Sequence, residues 1–357
     1  MNGPAASWPI LSTMARNQGK VKATKALGER ALIEQIRRRS AGFAPSGLRL
    51  GIGDDCALLS LRPGEELAVT TDLSIAGRHF LLDAHPPQAV GHRTLARGLS
   101  DLAAMGARPL AAFLSLGLPR ELTLPRGRGR SWVDGFLDGF MHLAESHGVP
   151  LAGGDLAESP LAVADIILTG AVPRGRALLR SRARPGDALY VTGQLGGAAA
   201  GLERLKSLVR SRATANRAIP ARLRERLAPH LFPQPRIPQG LWLLHRRIAT
   251  ACIDLSDGLS TDLSHLCAES RVCAEVDAAA LPLFPASSLQ QALHGGEDYE
   301  LLFTASSGMH LPRVIAGVAV TRIGRILRRR SGRPPVTLLR NGRAEELVPR
   351  GWQHFAG

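Results

Sequence analysis

Residues 50–59 read Leu-Gly-Ile-Gly-Asp-Asp-Cys-Ala-Leu-Leu, and the rest of the chain is organised around this stretch. Two apolar segments flank the adjacent carboxylates Asp54 and Asp55, set behind Gly51 and Gly53. Glycine lets a backbone turn sharply and come close to a ligand. Neighbouring aspartates repel each other unless a cation relieves them. Taken alone, the stretch also reads as a solvated Asp-Asp turn between strands, since both residue types are ordinary in turns. What weighs against that reading is recurrence. Acids stand at the edges of apolar runs again at Asp72, Asp101, Asp155, Asp254 and Asp257, several of them beside glycine.

Working outward, residues 29–40 carry the spacing of a short amphipathic helix, and 48–52 form a strand that delivers Asp54 and Asp55. A second strand at 67–71 ends at Asp72. Residues 88–105 are helical, with Val90, Leu95, Leu99, Leu102 and Met105 near one face and Gly106 as the stop. Asp101 lies inside that helix among small and apolar neighbours, so it points towards something other than water. A strand at 110–118, a helix at 132–147, a strand at 149–155 closing in Gly-Gly-Asp, and a long strand at 161–172 follow. Pro173-Arg174-Gly175 then breaks the pattern and marks a domain boundary.

The second half restarts with a strand at 186–193, a small-residue helix at 198–208 and a loose basic loop at 209–219. Residues 251–258 form another strand ending in acids, with a helix to about residue 270 and a short strand at 272–276. A glycine turn with two acids enters a strand over 294–303, and late strands at 318–326 and 336–339 are joined by the basic segment 327–335. Both halves mix strands and helices. The expected fold is therefore α/β (α+β) in two domains, 29–172 and 173–357, behind a disordered basic tail at 1–28.

The 357 residues suffice for two domains, and 45% apolar content supports a core that, with only 4% aromatics, is aliphatic. No apolar run has the length to cross a bilayer, and residues 1–28 lack the apolar stretch of a secretory signal. The four cysteines form no Cys-x-x-Cys pair, as expected of a reduced, cytoplasmic protein. A formal charge of +15 invites a nucleic-acid reading. The excess is arginine in small scattered clusters, however, and residues that could stack on bases are scarce, so no nucleic-acid partner is expected.

Histidine and cysteine stay out of the acidic clusters. An oxygen-only donor set suits magnesium rather than zinc. Magnesium uses few protein carboxylates, keeps waters and bridges to substrate phosphates, so the pattern points to phosphoryl transfer from a nucleotide. The phosphate-loop and protein-kinase signatures are missing. Residues 193–201 do not have the spacing of a dinucleotide fingerprint.

Seven motifs, in order, carry a resemblance. They are Gly-Ile-Gly-Asp-Asp-Cys-Ala-Leu-Leu (51–59), Thr-Thr-Asp-x5-Arg-His-Phe (70–80), Leu-Ser-Asp-Leu-Ala-Ala-Met-Gly-Ala (99–107) and Gly-Gly-Asp (153–155), followed by Ile-Asp-Leu-Ser-Asp-Gly-Leu (253–259), Gly-Gly-Glu-Asp-Tyr-Glu-Leu (295–301) and Gly-Trp-Gln-His-Phe (351–355). Together the chain resembles the thiamine-monophosphate kinases of the aminoimidazole-ribonucleotide-synthetase-like superfamily.

The resemblance implies Mg-dependent transfer of the ATP γ-phosphate to thiamine monophosphate, in line, with no dedicated catalytic residue. It implies a homodimer whose N-terminal domains pair through their sheets. Carried over position by position, several magnesium ions would be held by Asp55, Thr70, Thr71, Asp72, Asp101, Asp155, Asp254 and Asp257. ATP would be met by Gly154, Asp155, Arg180 and Ser256, and thiamine monophosphate by His79, Glu297 and Trp352. Some positions depart from the family: Ala76 replaces a frequent acid, Arg78 a small or apolar residue, and His294 a serine. A superfamily cousin with another acceptor, such as an amide or selenide, is the alternative. A selenide enzyme would carry a reactive Cys near its N-terminus, and no Cys precedes Cys56.

Overall fold

A computed structural model describes residues 29–40, 47–125, 129–210 and 221–353. The expected tail at 1–28, all but the first two residues of the loop at 209–219 and the last residues of the 351–355 motif lie outside them. The first half runs α1 (Glu29–Ser40), β1 (Leu48–Leu50), β2 (Leu58–Leu59), β3 (Glu65–Ile75), α2 (Pro87–Ala104), β4 (Arg108–Leu118), α3 (Trp132–His147), β5 (Leu151–Glu158) and β6 (Val163–Pro173). Its four-stranded sheet has the order β3-β6-β4-β5, antiparallel except for β4/β5. Leu95, Leu99 and Leu102 of α2 and Phe136 and Phe140 of α3 are fully buried in this half's core. Sequence sets the helix ends: the side chain of Ser131 and that of Asp134 each accept the other's backbone N–H to open α3, and Gly148 at φ 62° closes it.

The second half runs β7 (Asp187–Thr192), α4 (Gly197–Arg210), α5 (Ala221–Leu231), α6 (Ile237–Arg246), β8 (Ala251–Asp254), α7 (Leu259–Ser270), β9 (Val272–Asp277), α8 (Leu289–His294), β10 (Leu301–Ser306), β11 (Val314–Ile315), β12 (Val318–Arg328), β13 (Val336–Arg340) and β14 (Arg343–Glu346). Its sheet has the order β14-β13-β9-β12-β7-β10-β8, with β11 on β12, and β9/β13 is its parallel pair. Helix α2 lies between the halves, touching β3 and β6 on one side and α6 and β8 on the other. The approach to α6 is close enough that a Cβ on Gly240 would stand 2.0 Å from the Ala103 carbonyl oxygen, so this crossing requires glycine.

Helix α8 and strands β11 and β14 have no counterpart in the sequence expectation, and three further differences bear on the site and its core. Strand β3 runs on through Asp72 to Ile75, because β6 pairs it along its whole length. Gly153-Gly154-Asp155 likewise lies inside β5, paired with β4, and not at its end, since the strand runs on to Glu158. Helices α5 and α6 fill a span where no element was expected. Their helicity rests on tertiary burial: Leu227 and Leu231 of α5 pack with Leu205 and Leu208 of α4, and Leu243 and Leu244 of α6 join the core around α2.

Candidate active site

One face of α2 organises the site. Residues four apart on a helix share a face, and Arg93, Arg97 and Asp101 follow that spacing. Period-two alternation along β3 sends Thr70, Asp72 and Ser74 to the same side as α2. There the Thr70 hydroxyl donates to Asp101 Oδ2, and Arg97 pairs with Asp72 Oδ1 at 3.1 Å. Towards the second half, Ser100 Oγ donates to Asp254 Oδ2 at the end of β8 (2.7 Å), and Arg93 Nη2 donates to Glu297 Oε1 (2.6 Å). A single helix thus fixes acids that the sequence places more than 150 residues apart. Between the halves lies a cleft of about 870 Å³.

The electrostatics are those of crowded, desolvated carboxylates. Burial, and then the charge of Asp254, pushes Asp101 up to about 7, while the Thr70 hydrogen bond opposes the shift. Burial raises Asp254 as well, against its bond from Ser100. Asp72 is raised by burial despite Arg97. Glu297 is the exception. Burial pushes it up, but the charge and hydrogen bond of Arg93, with Arg97 and His85 adding, carry it below its ordinary value. Three raised acids in one cleft are a site that a cation would relieve.

Among the residues expected to carry function, Thr71, Asp72, His79, Asp101, Asp254, Ser256, Asp257, Glu297 and Trp352 all line the cleft. Thr70 reaches it through Asp101. Arg180 sits in a short turn of helix at 180–182, and its charge lowers both Asp101 and Asp254. His79 accepts the Ile75 N–H at Nδ1 (3.0 Å), which leaves the ring proton on Nε2. Asp55, Gly154 and Asp155 do not join the cleft. Asp55 is exposed and donates its backbone N–H to Asp54 Oδ1 (2.9 Å). Asp155 is opposite Ser115 in register and shares the outer face of the first sheet with it. Among the described residues, no three Asp, Glu, His or Cys side chains converge as a ready-made metal site.

Several residues that shape the cleft were not singled out from sequence. Arg93 and Arg97 were findable, since each precedes Asp101 at helical spacing. Ser100 stands beside Asp101 but needed the far strand to give it a partner. Asp262 Oδ2 accepts the backbone N–H groups of both Asp257 and Gly258 (3.0 Å each) and so holds the acidic turn. His230 of α5, buried, receives Arg93 at its carbonyl oxygen and faces His85 across 3.0 Å. No local signal marks it.

Residues 53–173 match the family AIR synthase related protein, N-terminal domain, and residues 184–330 match its C-terminal domain. A thiamine-monophosphate kinase from Escherichia coli is 40% identical over 93% of this chain and 99% of its own length. The Bacillus subtilis enzyme of the same name is 30% identical over 91% and 98%. The crystal structure of thiamine-monophosphate kinase from Stenotrophomonas maltophilia superposes with a TM-score of 0.72 at 38% identity, covering 90% of this chain and 99% of that one. The structure of AaThiL complexed with AMPPCP and TMP gives 0.69 at 28% identity, covering 94% and 100%.

Proposed function

The chain belongs to the thiamine-monophosphate kinases, and from that premise we propose that it transfers the γ-phosphate of ATP to the phosphate of thiamine monophosphate, giving thiamine diphosphate and ADP. The observation that carries the reading is the convergence of Asp72, Asp101, Asp254 and Asp257, drawn from both halves, on a cleft that also holds Trp352. An oxygen of the acceptor phosphate attacks the γ-phosphorus in line as the bond to the bridging oxygen of ADP breaks. That oxygen is already ionised near neutral pH, so no side chain has to take its proton. Positioning and charge neutralisation are what remain for the protein to supply.

The donor set suits magnesium: oxygen atoms only, and acids raised by burial and mutual repulsion. Asp55, Thr70, Thr71, Asp72, Asp101, Asp155, Asp254 and Asp257 would hold the ions, which neutralise phosphate charge when bound. Gly154, Asp155, Arg180 and Ser256 would meet ATP. Arg180 can grip phosphate oxygens through its planar fork. His79, Glu297 and Trp352 would meet the acceptor, Trp352 through its flat face against a cationic or aromatic ring. Because Arg93 engages Glu297 Oε1, the carboxylate is held still, with its other oxygen 3.6 Å from His230 Nδ1.

The same reading assigns residues 29–172 and 173–357 to two domains and makes the protein a cytoplasmic homodimer. No helix among the described residues is long and apolar enough to cross a membrane. The dimer is supported by the first sheet, whose edge strand β3 exposes Leu67, Val69 and Leu73 on the face away from α2. Purified protein incubated with ATP, magnesium and thiamine monophosphate should yield thiamine diphosphate and ADP on chromatography, and neither once magnesium is chelated. ATP binding without diphosphate would move the acceptor to a different compound.

A further inference from the structure

The last described segment of the chain is stitched onto the start of α7 by three consecutive backbone donors. Trp352 N–H donates to the Asp257 carbonyl oxygen at 3.1 Å. Gly351 N–H donates to Thr261 Oγ1 at 3.0 Å, and Arg350 N–H donates to Ser260 Oγ at 3.4 Å. The contact is too close for any side chain at its centre: a Cβ on Gly351 would stand 2.0 Å from the Asp257 carbonyl oxygen and 2.5 Å from Thr261 Oγ1. Ser260 is itself fixed, fully buried and 2.9 Å from His294 Nδ1. Burial and the charge of Arg350 hold that imidazole below its ordinary range, so a neutral Nδ1 can accept from Ser260 while the hydroxyl oxygen receives Arg350. The departure at position 294 thereby acquires a role in this chain.

Trp352 has a half-exposed side chain. Left to itself, such a side chain would lose rotamer freedom each time it closed on a ligand. Resting on the proposed kinase reading, we infer that residues 350–352 form a strap, and that Gly351, Thr261, Ser260 and His294 are positioning residues that present Trp352 to the acceptor's ring. The strap bears on acceptor binding and not on the transfer step, because the turn it grips has its own support. Asp262 holds the backbone N–H groups of Asp257 and Gly258 independently of residues 350–352.

The test is a set of kinetic variants, read as KM for thiamine monophosphate against KM for ATP and kcat. Thr261→Val removes the hydroxyl acceptor without changing shape, and Gly351→Ala forces the strap off Asp257. Each should raise the acceptor KM roughly two- to tenfold, the cost of immobilising one free side chain, with kcat and the ATP KM unchanged. Thr261→Ser should restore the wild-type value. In a Trp352→Ala background Thr261→Val should add nothing, since the strap acts through that ring. An acceptor KM that stays put in both variants, or a loss that persists undiminished without Trp352, overturns the inference. Amide hydrogen exchange separates it from the functional reading. If the wild-type protein makes no thiamine diphosphate, that reading fails; if the Gly351 and Trp352 amides exchange at the rate of an open chain, the strap fails, whatever the activity.

Discussion

Asp101 shows how a single side chain can serve the site at the expense of the fold. Its carboxyl is raised from 3.8 to about 7 by burial and by Asp254, so the folded protein resists the ionised form. For a group whose folded pKa lies above its unfolded one, stability is fully present below the lower value and is lost as pH rises through the upper. Ionising Asp101 thus weakens the metal-free protein between about pH 4 and pH 7. Asp101→Asn keeps the oxygen that accepts from Thr70 and removes the charge. It should melt higher than wild type at pH 8 without magnesium, with the advantage shrinking towards pH 4, while turnover falls roughly a hundredfold or more through loss of a charge partner for the metal. Lower stability at pH 8 would overturn the raised carboxyl, and retained turnover would remove Asp101 from the metal set. Ser100→Ala probes the same cluster one step out. It strips Asp254 of its hydroxyl donor and should cost roughly 10–100-fold in activity or magnesium affinity, seen as a rise in the magnesium needed for half-maximal rate. Asp101 was legible in sequence because an acid stood among small apolar residues of a helix. Glu297 and Trp352 were legible only through resemblance, since nothing in a glycine turn or a C-terminal tryptophan names its partner.

At the scale of elements, α2 is both the site's scaffold and a source of acid sensitivity. His92 on this helix is buried and donates Nε2–H to the Pro233 carbonyl oxygen at 2.7 Å. Burial holds it down to about 4. Here the folded pKa lies below the unfolded one, so stability is present above about pH 6.5 and is lost as pH falls towards 4, because only the unfolded chain takes up the proton. The loss from this group approaches ~3 kcal/mol at the acid end. His92→Gln keeps an N–H donor but cannot titrate. Urea titrations from pH 7 to pH 4 should show the variant shedding about one proton's worth of the wild-type slope, and an unchanged slope would sink the assignment. Periodicity located α2 itself to within a residue or so, since its apolar stripe is long and regular. The strand ends were misjudged for a physical reason: an acid on one face of a strand is tolerated when the next layer supplies an arginine, as Arg97 does for Asp72. Helix α5 stayed hidden because Pro229 and its many arginines break the usual pattern, and its apolar residues find their partners only in the folded chain.

At the scale of the whole molecule, the described chain leaves an apolar face uncovered. Leu67, Val69 and Leu73 are 48%, 57% and 46% exposed; their partners on β6 are Ala171, Thr169 and Asp165, and the half-buried pair Ile167 and Phe113 lies on the same face. Among the described residues, strand β3 also presents an unpaired edge. Both features are liabilities in a monomer and are commonly satisfied by a second copy. The same outer face carries Asp155, a residue proposed for the nucleotide that stands outside the protomer's own cleft, and under the proposed dimer that face is the one a partner would approach. Dimerisation and ATP binding should therefore be linked. Val69→Arg places a charge at the centre of the patch and touches none of the acids facing α2. Wild type should sediment as a dimer at micromolar concentration, as expected if the face buries on the order of 1,600 Å². The variant should sediment as a monomer with its melting temperature little changed, and its KM for ATP should rise more than its KM for thiamine monophosphate. A monomeric wild type would show that the face is covered in some other way. A monomeric variant with wild-type ATP affinity would leave the dimer intact as a finding and detach the nucleotide site from it.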